Sequence, residues 1–79
     1  MFTVYVLKDN KDKLYKGMTN NLSRRLSEHH SGHTKTTSRM RELVLVYKEE
    51  YDKFKEARKR ELYLKSAAGR RFLKNKLPR

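Results

Sequence analysis

Glu61 is an acid standing where the local pattern asks for a hydrocarbon. Winding residues 53–66 and their continuation on a helical wheel puts Phe54, Ala57, Leu64 and Ala68 on one face, with Glu61 at its centre. An unpaired carboxylate is too costly to bury, so it needs a partner cation, a bound metal or a wet pocket. In a chain of net charge +12, such a residue points to a site that handles anions. A second stripe repeats the oddity. Leu22, Arg25, Leu26 and His29 stand at i, i+3, i+4 and i+7, so Arg25 and His29 lie beside leucines that should pack on a sheet. Taken alone, Arg25 reads as a snorkelling side chain and His29 as a boundary residue. Two helices that each place a charge on the core face, with opposite signs, are what a shared site needs. Arg24 and Glu28 are expected to pair on the outer face.

Tyr5 and Tyr15 are further candidates, although a strand tyrosine is most often half-buried packing. Directly opposed residues of an antiparallel pair point to the same face. The two tyrosines therefore share a face only if the loop between their strands has an odd number of residues, and the sequence permits three or five. Gly17 follows on that face, where a missing side chain is expected to let a ligand backbone approach.

The elements that must position these groups are legible in order. Phe2 to Leu7 alternates Val4 and Val6 against Tyr5 and predicts a strand; Asp9–Asp12 is a turn cluster, and Leu14–Thr19 completes a hairpin. Asn20 or Asn21 caps a helix running to about His30, with Gly32 as its stop. Residues 33–41 lack periodicity and read as a basic loop. Leu43–Tyr47 is apolar on both faces, as a strand covered on two sides would be. Asp52 is expected to cap the helix carrying Glu61. A break at Ser66 or Gly69 precedes a short final helix with Phe72, Leu73 and Leu77. With no internal repeat and no linker, residues 1–79 form one domain of order β-β-α-β-α-α. The class is α/β (α+β): a small three-stranded antiparallel sheet flanked by helices.

Seventy-nine residues support one modest core, burying roughly 60–65% of the unfolded surface. The 38% charged content keeps disorder in view, and the periodic apolar segments argue against it. No apolar run near membrane-spanning length and no signal-peptide pattern occur, so a cytoplasmic protein is expected, with no membrane partner. The lack of cysteine excludes disulfides and thiolate metal sites. Twenty-one Lys and Arg against nine acids predict a polyanionic partner, most simply nucleic acid. Residues 53–79 alone hold eleven basic residues against Glu56 and Glu61, a local charge of +9. No strongly apolar face accompanies that charge, as insertion into lipid would require. Zinc is disfavoured: His29 and His33 have i, i+4 spacing, but Gly32 interrupts the helix and no third protein ligand is evident.

Taken together, the chain resembles the GIY-YIG nuclease domain, in particular the small stand-alone bacterial proteins of that superfamily. Relatives include the amino-terminal nuclease domain of the excision-repair incision subunit. Val4-Tyr5-Val6 stands where the first tripeptide belongs and Tyr15-Lys16-Gly17 where the second belongs. Asn21 to His29 is similar to the family's first helix, and Glu56-Ala57-Arg58-Lys59-Arg60-Glu61 to the second, with its metal-binding acid. The segment Leu64 to Lys74 is similar to the ending of the stand-alone group. Neither tripeptide is literal: the first lacks its glycine and isoleucine, and Lys16 replaces isoleucine in the second. Asn75 is the one candidate for the late asparagine of some members and stays outside the core set.

The resemblance implies an endonuclease that hydrolyses phosphodiester bonds with a single Mg²⁺ or Mn²⁺ on Glu61. Arg25 would brace the phosphate oxygens. Tyr5 or Tyr15 would take the proton of the attacking water, its pKa lowered by metal and arginine, and His29 would orient or relay a proton. Lys16, Gly17, Arg24, Lys65, Arg70 and Arg71, with Lys35 and Arg39 from the Thr34–Arg39 stretch, would hold the backbone of nucleic acid, DNA before RNA. Structured, damaged or single-stranded DNA is the expected substrate. The alternative is a non-catalytic basic nucleic-acid-binding module on the same fold; a structural ribosome-associated role rests on charge alone. Tyr5, Tyr15, Arg25, His29 and Glu61 are expected to converge on one cleft.

Overall fold

The computed structural model describes residues 1–30 and 42–77. Within them run β1 (Phe2–Lys8), β2 (Leu14–Thr19), α1 (Leu22–His30), β3 (Val44–Tyr51), α2 (Phe54–Lys65) and α3 (Ala67–Lys76), in the expected order. The stop at Gly32, His33 and the basic loop over 33–41, with Thr34, Lys35 and Arg39, lie outside the described residues.

The strands form one antiparallel sheet of order β2-β1-β3. β1 is central, and alternation along it divides the core in two. Val4 and Val6 pack with Ala57, Leu64 and Leu73 of α2 and α3. Tyr5 and Leu7 point the other way and pack with Leu43, Leu22 and Leu26, so that α1 covers this second face. β1, not β3, is thus the strand covered on both sides. β3 is an edge strand that continues to Tyr51, and Val44 at its start is exposed. Its apolar run has a different cause. Val6 pairs with Tyr47 and Leu7 with Leu45, so Val46 is an extra, bulged residue. The bulge lets Val46 and Tyr47 both join the Val4–Val6 cluster while Leu45 joins the other.

The hairpin loop is Asp9–Lys13, five residues, the odd parity that puts Tyr5, Tyr15 and Gly17 on one face. Asp9 organises it: its buried carboxylate accepts from the amides of Lys11 (2.9 Å) and Lys13 (2.7 Å). Asp12 supplies the left-handed residue of the turn (φ 65°).

Asn21, rather than Asn20, caps α1, its side-chain oxygen accepting from the Arg24 amide at 3.1 Å. Asp52 does not cap α2. Lys53 occupies the cap position and offers no side-chain bond, so the acid lies one residue too early. The break falls at Ser66, which ends α2 and caps α3. Its hydroxyl accepts from the Gly69 amide (3.2 Å) and donates to the Tyr63 carbonyl (2.5 Å). Gly69 is buried inside α3, where a Cβ would stand 2.0 Å from the Tyr63 carbonyl oxygen. Ala68 therefore belongs to a second helix and is exposed, as is Phe54, which packs edge-on against Phe2.

Glu49 ties β3 to α2. Tyr47 and Tyr51 donate their hydroxyls to its carboxylate, and Arg60 adds a two-pronged grip at 2.9 and 3.1 Å. The guanidinium in turn lies 4.8 and 4.9 Å from the ring centres of Tyr63 and Phe72.

Candidate active site

Tyr5 projects from the central strand toward the β2 edge and crosses over its partner Gly17. A Cβ at Gly17 would stand 2.6 Å from the Tyr5 hydroxyl oxygen and 2.7 Å from Cζ. The glycine therefore makes room for the phenol, not for a ligand backbone, which corrects the expectation at this residue. The Tyr5 hydroxyl lies 2.8 Å from Nε2 of His29, itself only 1% exposed. Tyr15 completes the group: its ring centre is 4.8 Å from that of His29 and 6.3 Å from that of Tyr5. The i, i+4 spacing of Arg25 and His29 on α1 brings the guanidinium to the same phenol.

Burial pushes Tyr5 up to about 12, only partly opposed by a hydrogen bond from Arg25; the neighbouring Tyr15 and Glu61 add to the rise. Tyr5 is thus a neutral phenol at physiological pH, opposite to the lowering expected from sequence. Arg25 can only donate, so the phenol oxygen is the acceptor of the bond between them. The bond to Tyr5 also raises the Arg25 guanidinium. Arg25, not Arg24, pairs with Glu28, at 3.2 Å.

Glu61 is 6% exposed and has found partner cations on its own helix. Arg58 Nη1 lies 2.6 Å from one carboxylate oxygen and Lys65 Nζ 3.1 Å from the other. The i, i+3 and i, i+4 spacing was the sequence signal for both. Glu61 belongs to the helix layer on the Val4–Val6 face, whereas Arg25 and His29 come from the opposite layer. Its charge adds only a small part of the rise at Tyr5. Four of the five expected residues therefore pack together, while Glu61 is held separately by Arg58 and Lys65. Among the described residues, no group of three or more His, Asp or Glu is placed to share a metal ion.

Of the expected backbone-binding residues, Lys16 lies opposite Val6 on the α2–α3 face. Burial lowers its pKa first, and the charges of Arg70 and Lys65 lower it further. Three cations thus cluster where β2 meets the α2–α3 junction. Arg24 and Arg71 are exposed on their helices, and Lys35 and Arg39 lie outside the described residues. The Glu49 network escaped the sequence reading, although Tyr47, Glu49 and Tyr51 share one strand face by simple alternation.

The model of the GIY-YIG catalytic domain matches residues 1–76. The chain belongs to the GIY-YIG family. Its domain type is a nuclease domain, and nucleic acid is the class of partner that goes with the fold. Among GIY-YIG relatives, a UPF0213 protein of Clostridium perfringens is 43% identical over 63 residues, spanning 78% of this chain and 68% of its own length. One from Staphylococcus haemolyticus is 36% identical over 72 residues, covering 90% and 88%. The solution NMR structure of the UPF0213 protein from Bacillus halodurans superposes with a TM-score of 0.59 at 28% identity, covering 95% of this chain and 84% of that one. Relative to the family name, Tyr5, Tyr15 and Gly17 are the retained letters, and all three meet around one phenol. No helix among the described residues is long and apolar enough to cross a membrane.

Proposed function

We propose that this chain is a divalent-metal-dependent endonuclease that hydrolyses phosphodiester bonds in structured, damaged or single-stranded DNA. The observation that carries this reading is the 2.8 Å contact between Tyr5 and His29, set among Tyr15 and Arg25 at the β2 edge. Arg25 presents its planar fork to the non-bridging oxygens of the scissile phosphate. Tyr15, half-buried where Tyr5 is fully buried, takes the proton of the attacking water as it passes its own hydroxyl proton to solvent. The water oxygen forms a bond to phosphorus as the bond to the leaving oxygen breaks, and that oxygen regains a proton from solvent. Tyr5 contacts His29 and holds Arg25, so it positions both side chains.

Glu61 suits Mg²⁺ or Mn²⁺ as a single protein ligand, because such ions keep several waters and bind substrate phosphate directly. Arg58 and Lys65 are half-exposed (49% and 47%) and can yield the carboxylate oxygens. A bound ion would supply charge stabilisation to the phosphate and leaving oxygen.

The test is incubation of the protein with single-stranded, nicked and branched DNA, and with RNA, in Mg²⁺ or Mn²⁺ beside a Glu61→Ala variant. Cleavage that the variant loses supports the enzyme. Equal cleavage by both marks contamination and sinks the nuclease reading for those substrates. The occupied Glu61 carboxylate, with Lys16 inside the second tripeptide, favours one alternative: a nucleic-acid-binding module without chemistry. In that case tight binding without cleavage is expected.

A further inference from the structure

A cleft of about 500 Å³ opens on the Val4–Val6 face of the sheet, between the β1–β2 hairpin and α3. It is distinct from the Tyr5–His29 cluster, which lies on the other face. The volume falls within the range of small-molecule sites, roughly 300–1,000 Å³. Its floor is aliphatic: Leu14 and the bulged Val46 from the sheet, Leu73 and Leu77 from the helix. Its rim is basic. Arg70 and Lys74 stand one turn apart on α3, and Lys8 faces them from β1, held at 3.0 Å by Asp12. Among the described residues, neither Arg70 nor Lys74 forms an ion pair with an acid.

An apolar floor beneath Arg70 and Lys74, which have no acidic partner among the described residues, matches a ligand with one ring face and one anionic group. The charge continues past the cleft. From Arg70 it passes to Lys16 and Lys65, the cluster in which like charges and burial already depress Lys16. Lys65 then leads to Glu61. A phosphate chain laid along that line relieves the crowding and ends at the cleft.

We propose that the cleft binds a nucleotide, its base laid on Leu14, Val46 and Leu77 and its phosphate held by Arg70 and Lys74. Lys8 and Lys74 are residues that the nuclease reading does not use. The inference rests on that reading for the path of the strand. Its test is run without metal, so loss of cleavage and loss of this site are read separately.

The shared chemistry has two sources, a free nucleotide or an unpaired nucleotide within a single strand. In EDTA, fluorescence anisotropy would compare an oligothymidylate with an abasic oligonucleotide of the same length and charge. Two-dimensional NMR would follow Leu14, Val46 and Leu77 during additions of thymidine monophosphate and of the oligothymidylate. Tighter binding of the strand with bases, with shifts at the floor, is expected. Shifts with the mononucleotide as well name the free ligand as a source; shifts with the strand alone name the strand.

Arg70→Ala with Lys74→Ala should lower the slope of log affinity against log salt by about 0.7, the value for one phosphate no longer neutralised on a single strand. Lys55→Ala with Lys59→Ala, an equal charge change on exposed α2 positions, should leave the slope unchanged. Equal affinity for the two oligonucleotides with unmoved floor signals would overturn the proposal, as would equal slopes for the two double variants.

Discussion

Tyr5 lies across Gly17, and a single methyl group at residue 17 would stand 2.6 Å from the tyrosine hydroxyl. That contact is well inside van der Waals separation, and the flanking Cζ at 2.7 Å closes the other way out. One of the two must move. Gly17→Ala should push the phenol off His29 and destabilise the fold by about 1–3 kcal/mol, as overpacking does. Chemical denaturation measures the cost, and the histidine ring signals in NMR report the lost contact. Unchanged His29 signals would show that the ring adapts.

Tyr5→Phe and Tyr15→Phe should separate position from chemistry. Removing the Tyr5 hydroxyl takes away the 2.8 Å hydrogen-bond contact of the buried His29 Nε2, a cost of about 1–3 kcal/mol. Tyr15 is only half-buried, so its variant should stay within about 0.5 kcal/mol of the parent in urea denaturation. Cleavage in a nuclease assay should nonetheless disappear with Tyr15→Phe. Retained cleavage there would move the proton-accepting role elsewhere.

A divalent ion held by Glu61, as proposed, would compete with Arg58 for carboxylate oxygen Oε1. Arg58→Ala should therefore tighten Mn²⁺ binding, and Glu61→Ala should abolish it, as read by calorimetry or by the Mn²⁺ resonance signal. Weaker binding by Arg58→Ala would place the ion away from this carboxylate.

Stability should fall at both ends of the pH range. Burial pushes Tyr5 and Tyr51 from 10.0 up to about 12, with the Glu49 hydrogen bond and charge adding to the rise at Tyr51. A phenol raised in the folded state gives stability that is whole below its unfolded pKa and drains away as pH climbs through the folded one. The loss should run from pH 10 toward 12. Glu49 behaves oppositely: burial would raise it, but bonds from Tyr47, Tyr51 and Arg60 win and hold it below 4.5. Its contribution is present above that value and is lost as pH falls through the lower folded one. Urea midpoints across both windows measure this, and Tyr51→Phe should flatten part of the alkaline fall.

Element order and the α1 stripe were legible because each rests on local periodicity: a 3.6-residue repeat aligned Arg25 with His29. Hairpin parity was not, since a two-residue repeat aligns Tyr5 with Tyr15 only across an odd loop, and the turn residues did not fix its length. The role of Gly17 was not legible, since nothing in its neighbourhood says that a residue twelve positions earlier needs the space. Val46 misled for a related reason: a bulge shifts the period by one and makes an edge strand look doubly covered. Glu61 was recognised as anomalous from the wheel alone. Which of its possible partners it takes depended on side-chain reach along α2, and Arg58 and Lys65 were nearest.

The elbow at Ser66 makes Gly69 a spacing device. Glu61 and Arg70 sit on two rods that meet where the Gly69 backbone presses on the Tyr63 carbonyl. A side chain there would splay the rods apart and widen the gap between carboxylate and cations. The charges would all survive, yet the separation between them would change. Gly69, with no charge of its own, thus sets the distance between the groups proposed to meet a phosphate chain.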